Sequence, residues 1–221
     1  MSKESFFKNL ERLKDIFKHD DEALGAMELL SKKIKESDET LFKASRKDSK
    51  ISSEQLLLPP EMRDFPQAYG LFCDGACRGN PGPGAWASLA QKSEHEILFE
   101  ISGTQAHTTN NQMELDAAIY GLVEYELYFK SRQLPLGDIT LLVFCDSKYV
   151  IEGISKWVLG WKKRGWRKAD NKTPENLERW QRLDELNEMP WKLKFIWVKG
   201  HAGHPQNEFC DQLANQALDD M

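Results

Sequence analysis

The sequence predicts an α/β domain built on a five-stranded mixed sheet, with a separate helical stretch in front of it. Short apolar runs of strand length recur five times between Tyr69 and Lys199. The last two alternate with helical patterns, whereas the first three follow one another closely. Residues 1–65 show only helical periodicity.

In the N-terminal stretch Phe6, Leu10, Leu13 and Phe17 recur at helical spacing, widened by Phe7 and Ile16. Leu24, Met27, Leu30 and Ile34 form a second set that Asp20 or Asp21 could cap. A polar run and the Pro-flanked RDFPQ follow, so residues 1–65 read as a helical extension with a linker and 66–221 as the main domain. There YGLFCDG, GAWASLA and EILFEIS suit an antiparallel meander. Asn110–Lys130 is a long helix, ITLLVFCD a fourth strand, and SKYVIEGI and PENLERWQRLDEL are helices. KLKFIWVK is a fifth strand and NEFCDQLANQAL a closing helix. Strands separated by helices favour parallel pairing through crossovers.

The chain has 221 residues, 40% of them hydrophobic, enough for one good core and a small appendage. No apolar run approaches the ~20 residues that cross a bilayer, and MSKESFFKNLERLKDIF lacks the apolar stretch of a secretory leader. A cytoplasmic protein without a membrane partner is the expectation. The four cysteines, Cys73, Cys77, Cys145 and Cys210, lack the paired C-x-x-C spacing of a zinc site and read as reduced thiols, mostly in the core. Neighbouring side chains on a strand point to opposite faces, so Cys73 and Cys145 can face the core while the following aspartates face elsewhere.

Those aspartates are the chemical signal. Asp74 ends the first strand and Asp146 the fourth, where ligands of open α/β sheets gather. Glu114 opens the long helix and Asp211 lies in the last one. Clustered carboxylates oppose each other's ionisation unless cations offset the charge. Mg²⁺, with its preference for oxygen ligands, suits such a set beside a phosphate. Spacing alone leaves ordinary surface acids as an open reading.

Four segments carry more information: CDGACRGNPGPGAWAS (73–88), TTNNQMELDAAI (108–119), CDSKYVIEGISKWVLGWKKRGW (145–166) and WVKGHAGHPQNEFCDQLA (197–214). Together they resemble type 1 ribonuclease H, in particular its bacterial form. The resemblance implies the ribonuclease H-like fold with strand order 3-2-1-4-5. It also implies an endonuclease that hydrolyses the RNA strand of RNA–DNA hybrids with two Mg²⁺ ions (Mn²⁺ as a substitute), leaving 5′-phosphate and 3′-hydroxyl ends. Its metal ligands fall on Asp74, Glu114, Asp146 and Asp211, and its mobile catalytic histidine on His201, with His204 as the rival. Contacts to RNA hydroxyls carry over to Gly75, Asn80, Asn110 and Gln112, and a DNA phosphate pocket to Thr109 and Asn111. Its basic handle falls on Lys156–Lys172, which has a net charge of +6 in a chain of net charge −5 and interleaves Trp157, Trp161 and Trp166 with Lys162, Lys163 and Arg164. A monomer is implied. Residues 1–65 carry 13 Lys/Arg against 14 Asp/Glu and do not resemble the hybrid-binding module of eukaryotic relatives. They are expected to pack as an appendage or to meet a protein partner.

Gln112 stands where bacterial relatives commonly carry Arg, Lys148 where they carry Gln, and Gly160 where they carry Asn. A hybrid-binding module without activity, or a DNA-junction nuclease of the same fold, are the alternatives; the first is expected to lack a carboxylate, and none is missing.

Overall fold

β1 (Tyr69–Cys77) is the central strand of a five-stranded sheet in the order β3-β2-β1-β4-β5. A computed structural model of the chain describes residues 56–92, 96–200 and 203–221, together with residues 27, 28 and 31. The chain divides into two compact units, Met1–Lys47 and Asp48–Met221. The expected N-terminal helical hairpin lies almost wholly outside the described residues; the sheet and its helices belong to the second unit.

β1 pairs antiparallel with β2 (Gly82–Lys92), which pairs antiparallel with β3 (Glu96–Thr108). On its other side β1 runs parallel to β4 (Thr140–Cys145), and β4 runs parallel to β5 (Lys192–Trp197). The mixed sheet and its order are those the sequence implied. β2 and β3 are longer than their apolar runs: β3 continues through Gly103–Thr108 on the backbone ladder to β2, although Thr104, Ala106 and His107 are exposed.

Helices cover both faces. A short α1 (Pro60–Arg63) precedes β1, and α2 (Asn110–Ser131) follows β3. After β4 comes α3 (Lys148–Glu152), which runs through a π-helical turn (Gly153–Trp157) into α4 (Val158–Lys163). α5 (Leu177–Asn187) leads into β5, and α6 (Pro205–Asp219) closes the chain. Alternation along β1 and β4 sorts the core into two layers. Leu71, Cys73, Leu141, Val143 and Cys145 join the cluster containing Tyr125, Phe129 and Trp180, on the face of α2 and α5. Phe72, Leu142 and Phe144 join Phe209, Cys210 and Leu218 of α6 on the other face.

Buried polar bonds lock the layers in register. The Tyr125 hydroxyl donates to the Gly70 carbonyl at 2.7 Å, and Ser88 Oγ to the Ala117 carbonyl at 2.6 Å, so α2 is tied to β1 and β2. Gln206 of α6 donates to Gln91 Oε1 at 2.9 Å and to the Leu57 carbonyl at 2.7 Å, while Gln91 donates to the Leu56 carbonyl at 2.8 Å. The segment just before α1 is thereby pinned between β2 and α6. Arg179 of α5 makes a two-pronged bond to buried Asp116 of α2, at 2.8 and 3.0 Å, a geometry suited to guanidinium and carboxylate.

Gly153 sits where the π-turn crosses Trp180: a Cβ there would run into the indole ring. Gly153→Ala should therefore destabilise the protein by roughly 1–3 kcal/mol, the usual range of overpacking in a filled core. Urea unfolding checks this, and an unchanged midpoint would contradict it.

Candidate active site

The acidic residues gather where β4 ends beside β1; Asp74 does not end its strand as expected, because β1 continues to Cys77 on its ladder with β2. Asp74 is on β1, one residue beyond the Cys73–Cys145 register pair, and Asp146 follows β4 directly. Asp74 Oδ1 accepts the Gly75 backbone N–H at 2.8 Å. Glu114 reaches the same place from the first turn of α2 because Gly75 lets that turn approach; a Cβ on Gly75 would stand 2.5 Å from the Glu114 nitrogen. Thr109 caps this helix. Its hydroxyl accepts the Gln112 N–H at 3.3 Å and Gln112 Oε1 accepts the Thr109 N–H at 3.1 Å, a reciprocal capping box. Asp211 comes from α6, where Asn215 one turn later donates to Asp211 Oδ1 at 2.9 Å.

Each of the other acids has a positioning partner too. Asn110 Nδ2 donates to Glu114 Oε1 at 3.3 Å, and the Cys145 thiol lies 3.9 Å from Oε2 as a weak donor. Asn207 Nδ2 donates to Asp146 Oδ2 at 3.2 Å, and the Trp197 indole N–H to the Asp146 carbonyl at 3.0 Å. Asn207, Asn215 and Trp197 were not singled out in the sequence. The i, i+4 spacing of Asn207, Asp211 and Asn215 on α6 was the signal for two of them.

The electrostatics show convergence. Burial first, then the charges of Asp146 and Asp211, push the Asp74 carboxyl up to about 8 against the opposing Gly75 bond. Glu114 is raised well above the usual carboxylate range, by burial first and then by Asp74 and Asp146. Such an arrangement is an electrostatic debt that divalent cations relieve. Glu114, Cys145 and Asp146 place one donor atom each within 4.8 Å of one another, a spacing that could hold an ion. Two of these donors are carboxylate oxygens, the ligand type that a hard cation prefers. Cys145 is completely buried and burial holds its thiol well above its ordinary value, so it is a neutral neighbour. Cys73 and Cys210 are buried like it, as expected of core thiols, while Cys77 is half-buried.

The remaining expected site residues divide. Asn80 Oδ1 accepts the Asn110 N–H at 3.2 Å, which places both near Glu114, and Asn111 is exposed beside them. Gln112 is turned to internal partners, its amide donating to Asn176 Oδ1 at 3.1 Å. Trp157, Trp161 and Trp166 pack against the core, the first two ringed with Tyr149 around Trp180. Lys162 is ion-paired with Asp184, at 2.7 Å, and with Glu188. Lys163 and Arg164 are exposed. His201 lies outside the described residues. Its rival His204 packs in tilted contact with Phe72 and Phe144 of β1 and β4, with ring centroids 5.6 and 5.8 Å away. Lys148 lies over the Trp197 ring at 5.3 Å.

A mixed sheet of this order with a partly buried group of acids beside the end of β4 is an α/β domain whose carboxylates could hold a metal ion. Residues 66–219 match the RNase H family, and the chain belongs to that family of nucleases. A Bradyrhizobium ribonuclease H is 48% identical over 157 residues, covering 71% of this chain and 93% of that one. The RNase H1 of the halophilic archaeon Halobacterium salinarum superposes with a TM-score of 0.52 at 28% identity, covering 70% of this chain and 99% of that one. LC11-RNase H1, solved in complex with an RNA/DNA hybrid, superposes with a TM-score of 0.54 at 24% identity, covering 69% of this chain and 97% of that one, a likeness of fold. Among the described residues no helix is long and apolar enough to cross a membrane.

The raised Asp74 carboxyl has a measurable consequence. Below about pH 4 the group is protonated folded or unfolded. As pH climbs towards about 8 the unfolded chain ionises freely while the folded one resists, so the metal-free protein loses stability across that window. Asp74→Asn should therefore stabilise the metal-free protein at neutral pH, on the order of 1–2 kcal/mol, and have little effect near pH 4. Chemical unfolding in chelator at both pH values tests this. A destabilised Asn variant at neutral pH would contradict the electrostatic account.

Proposed function

We propose that the chain is an endonuclease that hydrolyses the RNA strand of RNA–DNA hybrids, using two Mg²⁺ ions and leaving 5′-phosphate and 3′-hydroxyl ends. The observation that carries this reading is that Asp74 of β1 feels the charges of Asp146, after β4, and of Asp211 of α6, and Glu114 of α2 those of Asp74 and Asp146, on a ribonuclease H fold. The donor set is all oxygen, partly buried and mutually repulsive, which fits hard divalent cations. Asp74, Glu114, Asp146 and Asp211 would hold them. Bound there, such ions lower the pKa of a coordinated water and stabilise the charge that develops on the departing oxygen.

The protein's own contribution is placement. Asn110, Asn207 and Asn215 fix Glu114, Asp146 and Asp211 by side-chain bonds before any cation arrives. In this reading His201, next to Gly200 in the sequence, moves a proton to or from the reacting phosphate, for which imidazole is suited near neutral pH. Gly75, Asn80 and Asn110 meet the 2′-hydroxyls that mark the RNA strand. Thr109 and Asn111 meet a DNA phosphate, and the exposed cations of the α4 region hold the DNA backbone. The full chain acts as a monomer in the cytoplasm, and the N-terminal region is a helical appendage, open to a protein partner, before a catalytic domain whose core takes in Leu56 and Met62.

With Mg²⁺ and matched substrates, the protein should cut the RNA of an RNA–DNA hybrid in preference to double-stranded RNA and branched DNA. Chelation, or Asp74→Asn, should abolish cutting while hybrid binding persists. Preferential cutting of branched DNA would overturn the reading.

The ion pairs refine what the basic segment does. Lys156, Lys162 and Lys172 are paired with Glu152, Asp184 and Asp170. Lys163, Arg164 and Arg167 are exposed and form no ion pair with a described residue. Neutralising Lys163 and Arg164 together should weaken hybrid binding and lower its salt slope by about 2, one for each lost phosphate contact. Neutralising Lys162 should mainly cost stability. A slope unchanged by the first pair would remove the segment from the binding surface.

A further inference from the structure

The position of Gln112 gives it more to do than cap a helix. Its Oε1 is committed to the first turn of α2, accepting the Thr109 N–H at 3.1 Å and the Thr108 hydroxyl at 2.9 Å. Its Nε2 points the other way and donates to Asn176 Oδ1 at 3.1 Å, across 64 residues of sequence. Asn176 precedes α5 in the left-handed conformation, φ +57°. Its own amide donates to the Tyr149 hydroxyl at 3.0 Å, and that hydroxyl also receives the Trp180 indole N–H at 3.2 Å. One run of side-chain bonds thus links α2, the residue before α5, α3 and the tryptophan under the π-turn.

Asn176 is also where the basic loop returns to the body. The loop leaves α4 through Arg164 and Gly165, with the Trp166 N–H bonded to the Trp161 carbonyl at 2.7 Å. It turns on itself at Lys168–Lys172, where the Lys168 N–H meets the Lys172 carbonyl at 2.9 Å, and comes back through buried Pro174. At the outgoing end Lys162 is clamped to α5 by Asp184 and Glu188. At the returning end the Asn176 carbonyl receives the Trp180 N–H to start α5, and the Asn176 side chain is held by Gln112 and Tyr149.

We propose that Gln112 is a positioning residue, a strut between the capped first turn of α2 and the returning end of the basic loop. It sets the spacing between the surface that meets the RNA strand and the loop that holds the DNA strand. Gln suits this role because its amide accepts at one end and donates at the other. The strut's effect on substrate rests on the hybrid-cutting reading; its effect on the loop does not.

Two substitutions separate the strut from the cap. Gln112→Glu keeps the carboxyl-type acceptor for the cap and removes the donor to Asn176. Asn176→Gly keeps the left-handed backbone and removes the strut's other end. Amide hydrogen exchange on the unliganded full-length protein is the first measurement. Either variant should speed exchange at Lys168, Asn171 and Trp180 several-fold, with exchange in β1 and β4 unchanged. Unaltered exchange at those three amides would overturn the proposal whether or not the enzyme cuts hybrids. Steady-state cleavage of a hybrid is the second. KM should rise several-fold in each single variant, with a smaller change in kcat and the same Mg²⁺ dependence. Adding Gln112→Glu to Asn176→Gly should raise KM little further, because both remove one link. Fully additive effects would mean that the new charge acts on substrate directly and would reject the strut. A wild type that leaves hybrids uncut would reject the functional reading alone, with the exchange result still deciding the strut.

Discussion

Cys73 and Cys145 face each other across the parallel ladder of β1 and β4, both completely buried on the α2 side of the sheet. The residue after each is an aspartate, so this single pairing carries Asp74 and Asp146 side by side to the same sheet end. The rest of the architecture is arranged around that juxtaposition. α2 approaches over Gly75 to add Glu114, and α6 lies on the opposite layer to add Asp211. A parallel pair needs a crossover, and α2 with the turn after it supplies one. The repulsion built into the cluster is opposed by structure elsewhere. The buried bonds from Tyr125 to Gly70 and from Ser88 to Ala117 tie α2 down regardless of the charge state of the acids.

Most of the sheet was legible in the sequence because strands buried on both faces leave apolar runs, as in LLVF of β4. The end of β3 was not. Gly103–Thr108 has no alternating pattern, and it is a strand because β2 offers it a ladder to complete. The basic helix was likewise read too short. SKYVIEGI looked complete at Ile154, yet the helix continues to Lys163 through a π-turn that slips Gly153 past Trp180. A local wide turn of this kind depends on a tryptophan in another helix and leaves no periodic trace.

The four carboxylates were legible once the flanking motifs were recognised. Their supports were not. Asn207 and Asn215 stand at helical spacing around Asp211, but only the fold turns Asn207 to Asp146 and Asn215 to Asp211. Gln112 stood out in the sequence as a substrate contact, and its bonds to Thr108, Thr109 and Asn176, which only the fold brings together, could not be read there. The tryptophans of the basic segment are half-buried and pack on the core with part of their surface. That leaves the exposed cations, at Lys163, Arg164 and Arg167, to offset the acidity of the whole chain locally.

The central claim is that the acids are held together uncomfortably and that divalent cations relieve them. Calorimetric titration of the metal-free protein with Mg²⁺, at neutral pH in two buffers of different ionisation enthalpy, tests it directly. Asp74, with its carboxyl near 8, and Glu114, higher than usual, should give up protons as the ions bind. The account predicts net proton release that shrinks in Asp74→Asn and fades as pH rises past about 8. Mg²⁺ binding without any exchange of protons would contradict it.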